Sequence, residues 1–188
     1  MEETAEERPQ RHVNEARVRG FVHAYDRTDC LLALILSLAT WTLLTFLSPS
    51  VLHPEFWSVA AIASGVRPPD SAASGLGLAL TRLLISPLGV EHGVSTLMHL
   101  GHMTGALIVG LCFLLMRGSF SARLSIKPEE LLSLSPYLRA LAVAGAVVFA
   151  CSEALWIRMQ FLSDELICLF LGTVAIVAFD RFRRHRRL

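Results

Sequence analysis

The sequence has no cysteine framework. Its four cysteines, Cys30, Cys112, Cys151 and Cys168, lie in or at the edge of hydrophobic runs, and no two of them show metal-ligand spacing. Lone thiols in such places generally behave as small hydrophobic side chains. The cysteines therefore indicate neither a disulfide scaffold nor a cysteine-based metal site.

The N-terminal segment lacks the apolar core of a cleavable signal peptide. Residues 1–10 read M-E-E-T-A-E-E-R-P-Q, which is acidic and polar. We therefore expect the first apolar run of the chain to act as an uncleaved insertion signal. Residues 1–29 are predicted to form a cytoplasmic tail, with a short helix over residues 13–25 lying on the membrane surface.

Hydrophobic residues, in contrast, are abundant, at 53% of a chain of 188 residues. A soluble domain of this length ordinarily carries fewer, so the composition predicts a membrane protein. Four apolar runs are expected to be transmembrane helices, because roughly 20 apolar residues cross the hydrocarbon layer. They cover residues 30–47, 94–116, 138–157 and 161–179. No internal repeat is evident.

The fourth run is ambiguous by length. Its uncharged part, residues 166–179, holds 14 residues and fits a buried core helix as well as a span. Extending the run back to Phe161 includes Asp164 and Glu165, which must then lie at the interface or face protein. We predict an all-α membrane protein of four transmembrane helices, with a transmembrane domain over residues 30–180.

The distribution of positive charge predicts the orientation. Residues 1–29, 117–139 and 180–188 hold 14 of the 17 basic residues. Cytoplasmic segments of membrane proteins are enriched in arginine and lysine, so these three segments are expected in the cytoplasm. The prediction is a multi-pass protein of the inner membrane with both termini cytoplasmic. The three remaining basic residues, on the outer side, are Arg67, Arg82 and Arg158.

The outer loop, residues 48–93, is predicted to carry two juxtamembrane helices. Residues 54–64 begin with proline and glutamate, as helix first turns prefer, and a glycine follows them. Residues 76–88 place leucines on one face with polar residues opposite, which is typical of an interfacial helix. Residues 67–70 read R-P-P-D and are expected to form a rigid turn between the two helices.

Glu55 is the candidate catalytic residue of this loop. It lies just beyond the first apolar run, two residues before Trp57. A carboxylate that an aromatic ring partly desolvates can act as a general base or bind a divalent metal. The simpler interpretation is a favourable negative charge at a helix N-terminus. Apart from a divalent metal at this position, the sequence predicts no cofactor.

Three histidines raise a second metal hypothesis. His99 and His102 stand at i and i+3 and so share a helix face, with His92 and Glu91 upstream. That spacing is common by chance, and polar side chains in membrane helices often only hydrogen-bond to a neighbour. A structural role is therefore preferred, and no metal ligand is assigned.

The second outer loop concentrates charge around Glu153 and Arg158, followed by Asp164 and Glu165. An ionisable group within a span is by default a functional-site hypothesis. The alternative for Glu153 is that its carboxylate simply reaches the headgroup layer, because Trp156 beside it is a typical interface anchor. Both interpretations stay open.

The C-terminal tail, residues 181–188, is strongly basic and begins R-F-R-R-H-R-R. Directly after an apolar run, such a tail is typical of an anchor on the anionic inner leaflet. We therefore expect membrane lipid as its partner and no nucleic acid.

Five short motifs follow one another along the chain. They are T-F-L-S-P at 45–49, Glu55 with an alanine-rich stretch at 58–64, G-V-R-P-P-D at 65–70, L-T-R-L-L at 80–84, and F-A-C-S at 149–152 ahead of Trp156. Their order resembles the N-terminal membrane module of the bacterial protein O-mannosyltransferase-like family, in the GT-C glycosyltransferase superfamily. The resemblance covers roughly residues 30–180.

The resemblance implies a glycosyltransferase-like membrane protein that uses a polyprenyl-phosphate sugar on the outer face. Glu55 would be its outer acid, and Arg67, Arg82 and Arg158 would bind the lipid phosphate. Asp70 and Glu153 are further candidate substrate-binding residues, as charged groups of the two predicted outer loops.

The chain also departs from the family pattern. Leu52 stands where the family has an aspartate, Arg67 replaces a histidine and Asp70 replaces a glycine. The departures imply a degenerate or partial homologue, completed by partner membrane subunits. The alternative function is a non-catalytic subunit or scaffold, which packs against partner helices through the glycine face of the second span and the alanine face of the third.

Overall fold

The structure, a computed structural model, describes residues 26–47, 61, 76–123, 128–160 and 162–185. All the regular elements in these ranges are helices, which confirms the all-α prediction for the described part of the chain. In chain order they are α1 (Arg27–Leu47), α2 (Leu76–Arg123), α3 (Pro128–Ala150), α4 (Glu153–Arg158) and α5 (Asp164–His185). The predicted first outer helix, at residues 54–64, and the turn at 67–70 lie outside the described residues.

Helix α1 is apolar along its length and capped at its start. The Asp26 side chain accepts a 2.8 Å hydrogen bond from the Asp29 backbone N–H, the usual N-cap arrangement. The Thr42 and Thr45 hydroxyls each donate to the carbonyl oxygen four residues earlier, at 2.8 Å. These two exposed hydroxyls are thus satisfied within the helix, and the side chains around them are mostly apolar.

Helix α2 consists of two arms joined at Gly89, whose φ of 77° and ψ of 167° are not helical. Glycine adopts such a positive φ without the clash that a side chain would cause. The bend is sharp, because a Cβ atom placed on Gly93 would lie only 2.9 Å from the Ile85 Cα atom. The short arm matches the predicted helix over residues 76–88, and the long arm contains the predicted second span.

The long arm of α2 is the centre of the bundle, since α1, α3 and α5 all pack against it. Small residues permit close approach to α1: a Cβ atom on Gly110 would lie 2.8 Å from the Ala33 carbonyl oxygen and would also collide with the Ser37 hydroxyl. The side chains of Ile108, Val109 and Phe113 are fully buried at this core.

The third predicted span differs from the structure at both ends. Helix α3 begins at Pro128, ten residues before the predicted start, and ends at Ala150. Ser152 then adopts an extended conformation with φ −68° and ψ 131°, and the six-residue helix α4 follows it. The helix is therefore interrupted within the predicted span 138–157, because Ser152 begins a separate element, and the span itself stays a prediction.

Two helices of the described chain are long and apolar enough to cross a membrane, namely Arg27–Leu47 and His92–Phe120. Leu134–Ala150 is apolar but shorter. The fourth run lies in α5. This helix begins at Asp164, three residues after the predicted start, and continues to His185. The number of spans remains a prediction.

Candidate functional site

Four charged side chains from three helices meet at one end of the bundle. Arg139 of α3 donates from Nε to Asp29 Oδ1 at 2.8 Å and from Nη2 to Asp26 Oδ2 at 2.5 Å. Arg117 of α2 places its Nε atom 3.7 Å from Asp29 Oδ1. Its Nη2 atom donates a 3.2 Å hydrogen bond to the Ser135 hydroxyl of α3. We refer to Asp26, Asp29, Arg117 and Arg139 as the charge cluster.

Two of the four side chains of the charge cluster are almost completely buried. The side chains of Asp29 and Arg117 are 4% and 8% exposed, whereas those of Asp26 and Arg139 are 18% and 23% exposed. Buried charges are stable only when paired with good geometry, and removing one partner of such a pair costs about 3–5 kcal/mol. Asp29, which contacts both arginines, is therefore the residue on which the cluster depends.

Local structure explains why these side chains meet. Asp29 lies in the first turn of α1, where a negative charge interacts favourably with the helix dipole. Arg117 follows the apolar part of α2, and Arg139 stands one turn after Ser135 in α3. The cluster consequently joins the start of α1, the end of the α2 long arm and the middle of α3. Its two carboxylates and two guanidinium groups sum to zero charge.

This composition favours a structural contact over catalysis. Both carboxylates accept hydrogen bonds or ion pairs from arginine, and arginine does not release a proton at neutral pH. A general base needs a carboxylate that is open to its substrate. Asp29 is 3% exposed and has no such opening. The cluster holds three helices together and leaves no charge uncompensated.

The residues predicted to form the outer site divide into two groups. Glu55, Arg67 and Asp70 lie outside the described residues, so their arrangement remains a prediction. Arg82 is exposed on the short arm of α2, and Glu153 is exposed in the first turn of α4.

Arg158, at the last turn of α4, forms an ion pair with Glu165 of α5. Both side chains are at least half exposed. Exposed ion pairs of this kind contribute about 0–1 kcal/mol. The structure thus brings together two charged residues of the predicted second outer loop, in a contact that water can screen.

The histidines of α2 do not form a metal site with other described residues. No group of three or more His, Cys, Asp or Glu side chains able to hold a metal occurs in the described chain. His92 and His99 are exposed, whereas His102 is 2% exposed. The rings of His99 and His102 are T-shaped with centroids 6.4 Å apart. Neither nitrogen of His102 has a hydrogen-bond partner among the described residues.

Sequence reasoning did not single out the charge cluster. Asp29, Arg117 and Arg139 entered the prediction only as end residues of two predicted cytoplasmic segments, 1–29 and 117–139. A signal was nevertheless present: an acid precedes the first run, and arginines end the second run and begin the third, all on the predicted cytoplasmic side. Opposite charges at one end of neighbouring helices can pair, and here they do.

Comparison with other proteins does not identify the chain. No protein-family model matches it, and no curated protein or solved structure is significantly similar to it. Its function must therefore be argued from its own residues and their geometry.

Proposed function

We propose that the chain is an integral membrane protein and acts as a non-catalytic structural subunit built around the α2 long arm. The observation that carries this proposal is the apolar exterior of the bundle. Only 17% of the most apolar stretch of α1 is buried inside the protein. Several of its large apolar residues are 50–56% exposed, namely Leu31, Leu34, Ile35 and Leu38.

The exterior of α3 and α5 has the same character. Val148 is 73% exposed, Phe179 66% and Ile176 58%. Leaving apolar area in water costs roughly 25 cal/mol per Å², and monomeric soluble proteins rarely show contiguous patches larger than a few hundred Å². A lipid environment covers these surfaces without any further protein.

The placement of polar groups supports the same proposal. Hydrocarbon offers no hydrogen-bond partners, so hydroxyl groups on membrane helices are expected to bond within the protein. The hydroxyls of Thr42, Thr45 and Thr173 donate to the carbonyl oxygen four residues earlier. The buried charges of Asp29 and Arg117 lie at one end of the bundle, where they meet Arg139.

The charge cluster also favours a topology. It joins the start of α1, the end of α2 and α3 near the start of its apolar part, Leu134–Ala150, so we place these three at the same membrane face. The excess of arginine in residues 1–29, 117–139 and 180–188 favours the cytoplasmic face. The short arm of α2 and the Arg158–Glu165 pair then belong to the outer side of the inner membrane.

The small-residue faces expected to bind partner helices are used within this chain. Gly110 packs on Ala33 and Ser37 of α1, and Gly105 packs on Met159. The alanine face of α3 is likewise buried, at Ala142 and Ala146. A partner subunit would therefore contact the outward faces of α1, α3 or α5, in place of surrounding lipid.

Two experiments test this proposal. Alkaline carbonate should leave the protein in the membrane pellet, whereas a peripheral protein is released to the supernatant. A reporter fused after Ser74 should be exported, and one fused after Leu188 should stay in the cytoplasm. Release by carbonate would overturn membrane integration, and a cytoplasmic reporter after Ser74 would overturn the orientation.

The glycosyltransferase-like function is the second candidate. The observation that favours it is Arg82, which is exposed on the short arm of α2 and is therefore available to a lipid phosphate. Glu55→Gln and Arg82→Gln should then abolish transfer to a surface glycan at unchanged protein level. Arg123→Gln, at the C-terminal end of α2, is the matched control. If glycan is unchanged in all three variants, the structural function stands and the enzymatic one fails.

A further inference from the structure

The pairing pattern leaves positive charge exposed at the end of the bundle that holds the charge cluster. Asp26 and Asp29 are paired with Arg139, and Arg117 lies beside Asp29, so these four groups are electrically neutral together. Arg27 at the start of α1 is exposed and stands outside this neutral group.

The C-terminal end of α5 adds to this positive surface. Helix α5 begins beside α4, at the level where Met159 contacts Gly105, and it packs against α2. Leu166 near its start belongs to the shared core. In the proposed orientation, residues 180–188 and the charge cluster lie on the same, cytoplasmic side, so the final turns of α5 lie toward the charge cluster.

Those final turns combine exposed arginines with exposed aromatic rings. Arg181 and Arg183 are exposed, the latter at 51% of its side chain. Phe179 and Phe182 are 66% and 52% exposed on the same turns. Asp180 is less exposed, at 18% of its side chain, and stands 3.9 Å from Arg183. Asp180 thus forms an ion pair with one of the arginines, and two exposed arginines stand against this one, less exposed acid.

We propose that Arg181 and Arg183, with Arg27, bind the headgroups of anionic phospholipids such as phosphatidylglycerol. This inference rests on the proposed membrane integration and names the lipid class that the basic end recognises. Arginine donates paired hydrogen bonds to phosphate oxygens, and basic residues beside a membrane are attracted to anionic headgroups. The phenylalanines place apolar rings at the depth of the upper acyl chains.

The test uses the purified full chain in detergent, titrated with phosphatidylglycerol or phosphatidylcholine while the thermal unfolding midpoint is recorded. Phosphatidylglycerol should raise the midpoint of the wild type more than phosphatidylcholine does. Arg181→Gln/Arg183→Gln should need on the order of tenfold more phosphatidylglycerol for the same rise. Arg181→Lys/Arg183→Lys is the matched control, because it keeps both positive charges beside the membrane, and its phosphatidylglycerol requirement should stay close to that of the wild type.

Two outcomes overturn the inference: an equal response of the wild type to both lipids, or an unchanged phosphatidylglycerol requirement in the double variant. If the double variant is too unstable to compare, the wild type is titrated in high salt. The phosphatidylglycerol-specific rise should then disappear, since salt screens exposed charges, and persistence of the rise would contradict the inference. Failure here leaves carbonate resistance intact, whereas failure of the proposed function appears as carbonate release.

Discussion

Asp29 and Arg139 lie 110 residues apart in the sequence, yet Arg139 Nε donates a 2.8 Å hydrogen bond to Asp29 Oδ1. Asp29 is buried, and a second arginine, Arg117, approaches the same oxygen atom at 3.7 Å. One carboxylate therefore links α1 to both α2 and α3. The contact fixes which helix ends lie together, and so it constrains the topology of the whole chain.

Asp29→Asn should destabilise the protein strongly, because it leaves two arginines facing a neutral amide. We expect the free energy of unfolding to fall by about 3–5 kcal/mol. Asp26→Asn is the matched control: Asp26 is more exposed, and asparagine still caps the helix, so the loss should be about 1 kcal/mol or less. SDS-induced unfolding in detergent micelles, followed by circular dichroism, measures both. Equal losses would contradict the central role of Asp29.

Exchanging the charges of the pair should restore part of the lost stability. Arg139→Asp alone places a third carboxylate at the cluster, and Asp29→Arg alone places a third guanidinium there. The double variant Asp29→Arg/Arg139→Asp restores one attractive pair. Residues in direct contact show coupling energies of roughly 0.5–3 kcal/mol in double-mutant cycles. A double variant whose loss equals the sum of the two single losses would show that the residues are not coupled.

Gly110→Ala should weaken the contact between α1 and α2. The added Cβ atom would lie 2.8 Å from the Ala33 carbonyl oxygen, so the two helix backbones must move apart. Overpacking of this kind costs about 1–3 kcal/mol. Gly172→Ala is the matched control, since its Cβ atom would meet nothing within 4 Å. It should be neutral or stabilising by up to about 1 kcal/mol through helix propensity. Similar thermal midpoints for the two variants would contradict the close packing.

His102→Leu should be neutral or stabilising. His102 is buried, and neither ring nitrogen has a partner among the described residues, so the folded state carries a desolvation cost that leucine removes. Unsatisfied buried polar groups cost about 1–3 kcal/mol. His99→Leu, at the exposed neighbour, serves as the control and should change stability little. Strong destabilisation by His102→Leu, measured by the same SDS unfolding, would indicate that the imidazole binds a group outside the described residues.

The sequence predicted the helices well wherever a long apolar run was bounded by charge or by proline. The first run ends at Leu47, as expected from the Ser48-Pro49 pair that follows. The second run and the break at Gly89 were also predictable, because glycine after Ser86-Pro87 is a typical helix stop. These signals are local, so one sequence is enough to reveal them.

The end of α3 and the charge cluster could not be predicted in the same way. Cys151 and Ser152 sit in an apolar stretch that continues to Ile157, and neither residue by itself signals a break. Pairing of Asp29 with Arg139 depends on the relative register of helices that are distant in the chain. Such register is set by packing, for example of Gly110 on Ala33, and hydrophobic periodicity does not encode it.

Lipid exposure of α1 is the central claim, and Trp41 reports on it directly. Its side chain is 40% exposed on the apolar surface of α1. In a variant that carries Trp57→Phe and Trp156→Phe, Trp41 is the only tryptophan, and its fluorescence can be recorded in reconstituted bilayers. We expect strong quenching by brominated phosphatidylcholine and little quenching by aqueous acrylamide. Strong acrylamide quenching without quenching by the brominated lipid would place α1 in water and contradict the membrane-embedded bundle.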